Sequence, residues 1–147
     1  MADKRNRGRR ITDRITEAYY ELMKIVAENN HERMFEYYVE DDEAYIFKIV
    51  NSSPAQETAY PLFKQNIETY MSECPADSIE SFKKQLDKCL LRPMRTAFQL
   101  SFISEDGKSR PVEMYMVSIP DLDKKVCMVV GMNAGGVLNT CKLNEAL

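Results

Sequence analysis

Apolar residues near the start of the chain recur with the spacing of a helix. Between Ile11 and Asn29 they are separated alternately by four and three positions, which is the a/d pattern of a coiled-coil seam. Tyr19, Met23 and Val26 widen this stripe. Two interpretations therefore stay open: a helix that pairs with a second copy of the chain, or one that packs only on its own domain. The residues of the predicted seam are Ile11, Ile15, Ala18, Leu22 and Ile25.

The rest of the chain shows runs of apolar and β-branched residues that predict five strands. Between the second and third strands, residues 55–91 have a helical pattern that Pro61 and Pro75 divide into short pieces. The chain is therefore predicted to be an α+β domain, with a five-stranded antiparallel sheet, short helices on one face and a long helix in front. That leading helix must cover the other face or leave the domain. The predicted strands are residues 33–40, 44–50, 95–104, 110–119 and 125–133.

Composition is that of a single globular domain. The chain has 147 residues, of which 44% are apolar, enough to form a core. No apolar run approaches the ~18 residues that cross a bilayer, and no signal peptide pattern follows the basic start. We therefore expect a cytoplasmic chain without a membrane span.

Charge is distributed unevenly. The first 14 residues carry six basic and two acidic side chains, a net +4, which leaves −7 on the rest of a chain whose total is −3. A flexible basic arm over residues 1–10 is one interpretation. The alternative is an arm that contacts nucleic acid, which makes a nucleic-acid-associated regulator the second candidate function.

Residues that could carry catalysis or bind a metal are sparse. The cysteines Cys74, Cys89, Cys127 and Cys141 form no CxxC pair, and His31 is the only histidine, so no structural zinc site can be drawn. No phosphate-binding loop, dinucleotide fingerprint or nucleophile elbow occurs. We therefore expect no enzyme activity in this chain itself, no metal and free thiols.

The order of three stretches carries a resemblance to a known family. They are FEYYVEDDEAYIF at 35–47, IETYMSECPADSIESFKKQL at 67–86, and FQLSFISEDGKSRPVEMYM followed by KVCMVVGM within 98–132. Together with the Asp106-Gly107 turn and Gly131, this order resembles a PAS domain of the subclass common in bacterial sensor proteins. The resemblance implies a sensory or regulatory input module, as found in diguanylate cyclases and histidine kinases. The remaining alternative is an unrelated α+β fold. The observation that separates the two is whether the helical block lies between strands two and three of one antiparallel sheet.

The chain departs from the PAS pattern at several positions. Pro111 stands where an aromatic residue is frequent, and Asn133 to Gly136 replace the usual Asp-Ile-Thr-like ending. No Asn-Cys-Arg-like helix motif occurs, and His31 precedes the first strand. These differences argue against a cysteine-linked flavin and a His-ligated haem, which leaves an unidentified small ligand.

The resemblance also divides the chain and implies a binding pocket. Residues 1–10 would be the arm, 11–30 a signalling and dimerisation helix, 31–133 the sensor domain and 134–147 a linker to a downstream output domain. The expected partners are a second copy of the chain and a small molecule, with nucleic acid and membrane not expected. Methionines on the last two strands suit an adaptable cavity, although a dry core would use them equally well. The expected pocket residues are Phe47, Phe82, Phe98, Leu100, Met114 and Met116.

Overall fold

A six-stranded antiparallel sheet forms the centre of the structure, a computed structural model that describes residues 14–29, 32–103 and 106–133. The arm predicted at 1–10 and the linker predicted at 134–147 lie outside the described residues. The helices are α1 (Arg14–Asn29), α2 (Ile67–Tyr70) and α3 (Ala76–Leu91). The strands are β1 (Arg33–Tyr38), β2 (Glu43–Val50), β3 (Ser53–Tyr60), β4 (Arg95–Ile103), β5 (Ser109–Pro120) and β6 (Val126–Asn133).

The strands are arranged in the order β3-β2-β1-β6-β5-β4, and every neighbouring pair is antiparallel. The predicted α+β class with one antiparallel sheet is confirmed, and the helical block lies between β3 and β4. The central strands β1 and β6 pair with each other, so the first and last strands of the sheet meet in its middle.

The predicted strand count was wrong, because the sheet has six strands rather than five. The additional strand β3 falls in the interval whose pattern was interpreted as helical. Its sequence, SPAQETAY, lacks the alternation of apolar residues that marks a half-buried strand. Among the described residues it pairs with β2 alone, at the edge of the sheet, where a proline is tolerated more readily than in a central strand.

Alternation along the strands gives the sheet two buried faces. One face, here called the α1 face, carries Met34, Phe47, Tyr115 and Val130 beneath α1. The opposite face, here called the α3 face, carries a second apolar cluster beneath α3 and the loop before it. Both faces are therefore covered, and the leading helix covers one of them rather than leaving the domain.

Helix α1 buries a different stripe from the predicted seam. Tyr19, Tyr20, Met23 and Ala27 are buried against the sheet. Because these positions are spaced by one, three and four residues, they share the side of the helix that faces the α1 face. The broader stripe recognised in the sequence is thus used for intramolecular packing.

Hydrogen bonds hold α3 to β4 near its start and to β5 at its end. Near its start, the amide of Ser101 donates to Ser78 Oγ at 2.9 Å, and the amide of Ile103 donates to the Glu73 carbonyl at 2.9 Å. At its end, the buried hydroxyl of Ser118 donates to the Cys89 carbonyl at 2.6 Å, one of the carbonyls that a helix end leaves without an internal partner. These bonds fix the position of α3 over β4 and β5.

Candidate ligand-binding site

A cavity of about 240 Å³ lies on the α3 face, between the sheet, α3 and the loop that joins β3 to α3. Elements distant in sequence contribute to it, since it lies above β1, β2, β4 and β5. Its lining residues are Arg33, Met34, Phe35, Ile46, Tyr60, Phe63, Tyr70, Met71, Glu73, Cys74, Phe82, Leu100, Met114 and Met132.

Aromatic rings set at steep angles to one another form much of the wall. The ring of Phe35 lies 5.5 Å from that of Phe63 and 6.0 Å from that of Phe82, the second pair edge to face. Phe63 and Phe82 are also edge to face, at 6.2 Å, and Tyr70 stacks parallel to Phe63 at 6.1 Å. The edge-to-face pairs have a geometry that aromatic rings favour, so contacts between the rings help to hold the wall of the cavity in place.

The turn between β1 and β2 holds the loop that carries Phe63. The carboxylate oxygen Oδ1 of Asp42 accepts hydrogen bonds from the Tyr37 hydroxyl at 2.8 Å and from the Lys64 amide at 2.9 Å. The Asp42 carbonyl accepts another from the Phe63 amide at 2.8 Å. Burial, followed by the hydrogen bond to Asp42, raises the pKa of Tyr37. Tyr37 therefore stays protonated and able to donate, and Phe63 is fixed above the sheet.

Gly131 on β6 lies close to the backbone of β5, beneath the cavity. A Cβ atom at this position would lie 2.9 Å from the carbonyl oxygen of Tyr115 and 3.2 Å from Cε of Met114. Since Met114 lines the cavity, the absence of a side chain at Gly131 lets the methionine lie across the strand. The glycine noted in the sequence thus has a steric reason in this fold.

The cavity surface is largely uncharged. Among the described lining residues two are charged, Arg33 and Glu73, and both are exposed. The thiol of Cys74 is buried, and burial, with a smaller effect of the Glu73 charge, raises its pKa. At neutral pH the thiol is therefore protonated and weakly nucleophilic, so the arrangement suits binding more than covalent chemistry.

Three of the six predicted pocket residues line the cavity: Phe82, Leu100 and Met114. Met116 and Phe98 belong to the same apolar cluster without lining it. Phe47 was assigned to the wrong face, because β2 alternates and it packs beneath α1 with Met34 and Tyr45. Binding of a ligand by these residues stays a prediction.

Sequence reasoning missed the lining residues between β3 and α3. Tyr60, Phe63, Tyr70 and Met71 fall in the interval interpreted as interrupted helix, where no consistent apolar face can be assigned. One signal was present, namely two aromatic residues, Tyr60 and Phe63, on either side of Pro61. That composition is unusual for an exposed loop and indicates a segment folded over an apolar surface.

The opposite face of β1 carries a buried carboxyl group. Glu36 is fully buried and accepts hydrogen bonds from the Tyr20 hydroxyl at 3.1 Å and the Tyr38 hydroxyl at 3.0 Å. Tyr20 belongs to α1 and Tyr38 to β1. This Tyr20–Glu36–Tyr38 cluster therefore joins the helix to the central strand by polar bonds within an apolar layer.

Two of the predicted dimerisation residues, Ala18 and Ile25, lie on the outer side of α1. Ala18 and Ile25 are exposed, Ile25 to 56%, and Leu22 is half-buried. Ile11 and the side chain of Ile15 lie outside the described part of the chain. Ala18 and Ile25 are therefore accessible to another molecule, whereas Leu22 packs against the cluster on the α1 face.

Within the described ranges, no group of three or more His, Cys, Asp or Glu side chains could hold a metal ion. The single histidine, His31, lies outside those ranges. In the same part of the chain, no helix has the length and apolarity needed to span a membrane.

Comparison with known proteins identifies the fold. No family model matches the chain, and no curated protein does. An RNA-binding light-oxygen-voltage receptor is similar in structure, with a TM-score of 0.52 and 11% identity. The match covers 78% of this chain and 33% of the receptor, so the chain spans about a third of that protein.

Two further solved structures give lower scores. The sensory box histidine kinase/response regulator of Burkholderia thailandensis has a TM-score of 0.48 and 11% identity, covering 84% of this chain and 89% of that one. The PAS domain of an HTR-like protein of Haloarcula marismortui has a TM-score of 0.38 and 12% identity, covering 82% and 93%. The sheet order, the helical block across one face and the similarity to the light-oxygen-voltage receptor together establish that this chain has the PAS/LOV fold.

Proposed function

We propose that this chain is a sensory input module of a signal-transduction protein, in which a small molecule in the cavity alters the packing of α1. The observation that carries the proposal is the position of two neighbouring residues on β1. Phe35 lines the cavity on the α3 face, while Glu36 accepts the hydrogen bond of Tyr20 on the α1 face. A ligand that displaces the Phe35 ring therefore acts on the same strand that holds the helix.

The mechanism is a shift between two arrangements of α1 on the sheet. A ligand shifts such an equilibrium only by the difference in its affinity for the two states. Contact with Phe35 supplies that difference if the ring position differs between the states. The polar Tyr20–Glu36–Tyr38 cluster suits a two-state element, since its hydrogen bonds depend on geometry more sharply than apolar contacts do.

Hydrogen exchange tests the coupling through β1. A Phe35→Leu substitution should accelerate exchange of the α1 amides around Tyr20 several-fold, because it loosens the strand from the cavity side. Phe98→Leu is the matched control, since Phe98 lies in the same apolar cluster but on β4 and away from the cavity lining. Equal acceleration in both variants, or none in Phe35→Leu, would contradict coupling through β1.

Dimerisation through the outer side of α1 is part of the proposal. The exposed seam residues Ala18 and Ile25 support it. Light scattering after size exclusion should give a dimer, and Ile25→Lys should convert it to a monomer because a charge would be buried at the seam. Leu91→Lys alters another exposed leucine, at the end of α3, and should leave the dimer intact. A monomeric parent chain at high concentration would remove the seam argument.

The output partner in this proposal is a bacterial signalling enzyme of the diguanylate cyclase or histidine kinase class. Its support is the sequence resemblance of residues 35–133 alone. The coding sequence that follows Leu147 tests it directly, and an unrelated downstream region would reject these two classes.

Nucleic-acid binding is the second candidate function. It is favoured by the net +4 on the first 14 residues and by the structural similarity to a receptor described as RNA-binding. Binding to single-stranded RNA should then weaken steeply with salt and disappear when residues 1–10 are removed. Affinity that is insensitive to both changes would reject the arm as a nucleic-acid contact.

A further inference from the structure

We propose that the cavity on the α3 face selects neutral molecules built on a single aromatic ring, and rejects anions and larger fused ring systems. This inference rests on the proposed sensory function, whose ligand it specifies. It follows from three properties of the cavity: the orientation of its walls, the position of charge around it and its volume.

The lining combines aromatic rings set at steep angles to one another with methionine side chains. Phe35, Phe63 and Phe82 stand at 53° to 80° to one another, so a flat ligand ring meets both edges and faces. Of the lining methionines, Met71 and Met114 belong to the apolar cluster on the α3 face, whereas the side chains of Met34 and Met132 belong to the cluster on the α1 face. Aromatic rings gain from edge-to-face contacts and from sulfur near the ring edge, so this wall favours an aromatic ligand over an aliphatic one of equal size.

Charge lies only at the border of the cavity among the lining residues that the structure describes. Arg33 and Glu73 are exposed and opposite in sign. The hydroxyl of the lining residue Tyr70 already donates its hydrogen bond to the Pro61 carbonyl, at 2.7 Å. A carboxylate that entered with a ring would lose its hydration without a buried cation to replace it. The cavity therefore discriminates against anions of the same shape.

Volume limits the ligand to about one ring with a small substituent. An apolar cavity of about 150 Å³ holds benzene in an engineered protein, and this cavity measures about 240 Å³. The difference accommodates a few additional heavy atoms, whereas a three-ring flavin needs considerably more space. Size and polarity thus define one chemical class.

Methionine methyl groups provide a test with an internal control. In protein labelled with ¹³C at the methionine methyls, acetophenone should shift the signals of Met71 and Met114 through its ring current. Met23 and Met128 lie on the α1 face and do not line the cavity, so their signals should move little. Benzoate has the same number of heavy atoms as acetophenone but carries a charge, and should bind at least about tenfold more weakly, or about 1.4 kcal/mol.

A pair of cysteine variants locates the binding. Cys74→Leu places extra carbon atoms inside the cavity and should weaken acetophenone binding about tenfold or more. Cys127→Leu makes the same change at a half-buried position that packs against the cluster on the α1 face, and should leave the affinity unchanged. Thermal unfolding of both variants verifies that each is folded.

The outcomes separate this inference from the proposed function. Acetophenone shifts confined to Met71 and Met114 and lost in Cys74→Leu support it. Preferential binding of benzoate, binding of lumiflavin to the same methyls, or no aromatic shift at all would overturn the ligand class. The hydrogen-exchange experiment on Phe35→Leu does not depend on the identity of the ligand. It therefore tests the proposed sensory function separately from the ligand class.

Discussion

Removing the hydroxyl of Tyr20 measures how firmly α1 is held on the sheet. Tyr20→Phe keeps the buried ring but removes the donor that reaches Glu36 Oε2 at 3.1 Å. Glu36 is fully buried and keeps the hydrogen bond from Tyr38 at 3.0 Å. The substitution therefore removes one hydrogen-bond donor and keeps the buried Glu36 carboxyl group that accepted from it.

The expected cost follows from the kind of bond lost. A hydrogen bond contributes about 0.5–1.5 kcal/mol between neutral groups and about 1.5–3 kcal/mol to a charged one. We expect Tyr20→Phe to lower the free energy of unfolding by about 1 to 2 kcal/mol, which corresponds to a fall in Tm of about 5 °C in a domain of this size. Urea titration with constant m-value checks the first quantity and calorimetry the second.

Tyr19→Phe is the matched control for this prediction. Tyr19 is equally buried in the same helix, but its ring lies 5.0 Å from the Arg95 guanidinium, an interaction that phenylalanine retains. The control should therefore destabilise the chain by well under 1 kcal/mol. Equal effects of the two substitutions, or an effect of Tyr20→Phe within error of zero, would refute the idea that the Tyr20–Glu36–Tyr38 cluster anchors α1.

Three further predictions concern the sheet, the β1–β2 turn and alkaline pH. Gly131→Ala should lower the free energy of unfolding by about 1–3 kcal/mol in urea titrations, because its Cβ would meet the Tyr115 carbonyl at 2.9 Å and backbone must shift; an unchanged midpoint would contradict the contact. Asp42→Ala should lower the free energy of unfolding by about 2 kcal/mol. Asp42→Asn should lower it less, because the side-chain oxygen of asparagine, unlike alanine, can still accept from the Lys64 amide. Equal losses in thermal unfolding would show that this hydrogen bond does not contribute. Burial raises the pKa of Cys89 to about 11, so the stability it contributes is complete below the unfolded pKa of about 8.5 and is lost as the pH rises toward 11. Urea titrations at about pH 8 and pH 10.5 should show this fall, and a Cys89→Ala variant with the same slope would assign it to other groups.

Where side chains alternate or recur regularly, the sequence was a sufficient guide to the fold. Val112, Met114 and Met116 are placed on one face by period-two spacing, and the structure has Met114 and Met116 together beneath α3. Phe47, predicted among the pocket residues, lies instead on the α1 face. Alternation shows that Phe47 shares a face with Tyr45 and Ile49 but cannot say which helix covers that face, since the choice depends on how β2 pairs with β1.

The remaining cavity residues depend on contacts distant in sequence. Tyr60 ends β3, an edge strand that within the described ranges pairs with β2 alone, and Phe63 is positioned by its hydrogen bond to Asp42, 21 residues earlier in the chain. Neither relation leaves a periodic pattern. An edge strand needs no apolar alternation, and a loop held by one carboxylate looks in sequence like any polar turn.

The bonds between α3 and β4 have a consequence for association between molecules. A strand at the edge of a sheet presents backbone amides that can template pairing with another chain. On β4, the outward amides of Ser101 and Ile103 already donate to Ser78 and Glu73, so an incoming strand would have to displace both. Glu73 also borders the cavity beside Cys74. A change that loosens this wall of the cavity would therefore also free two backbone amides at the edge of the sheet, where another chain could pair with them.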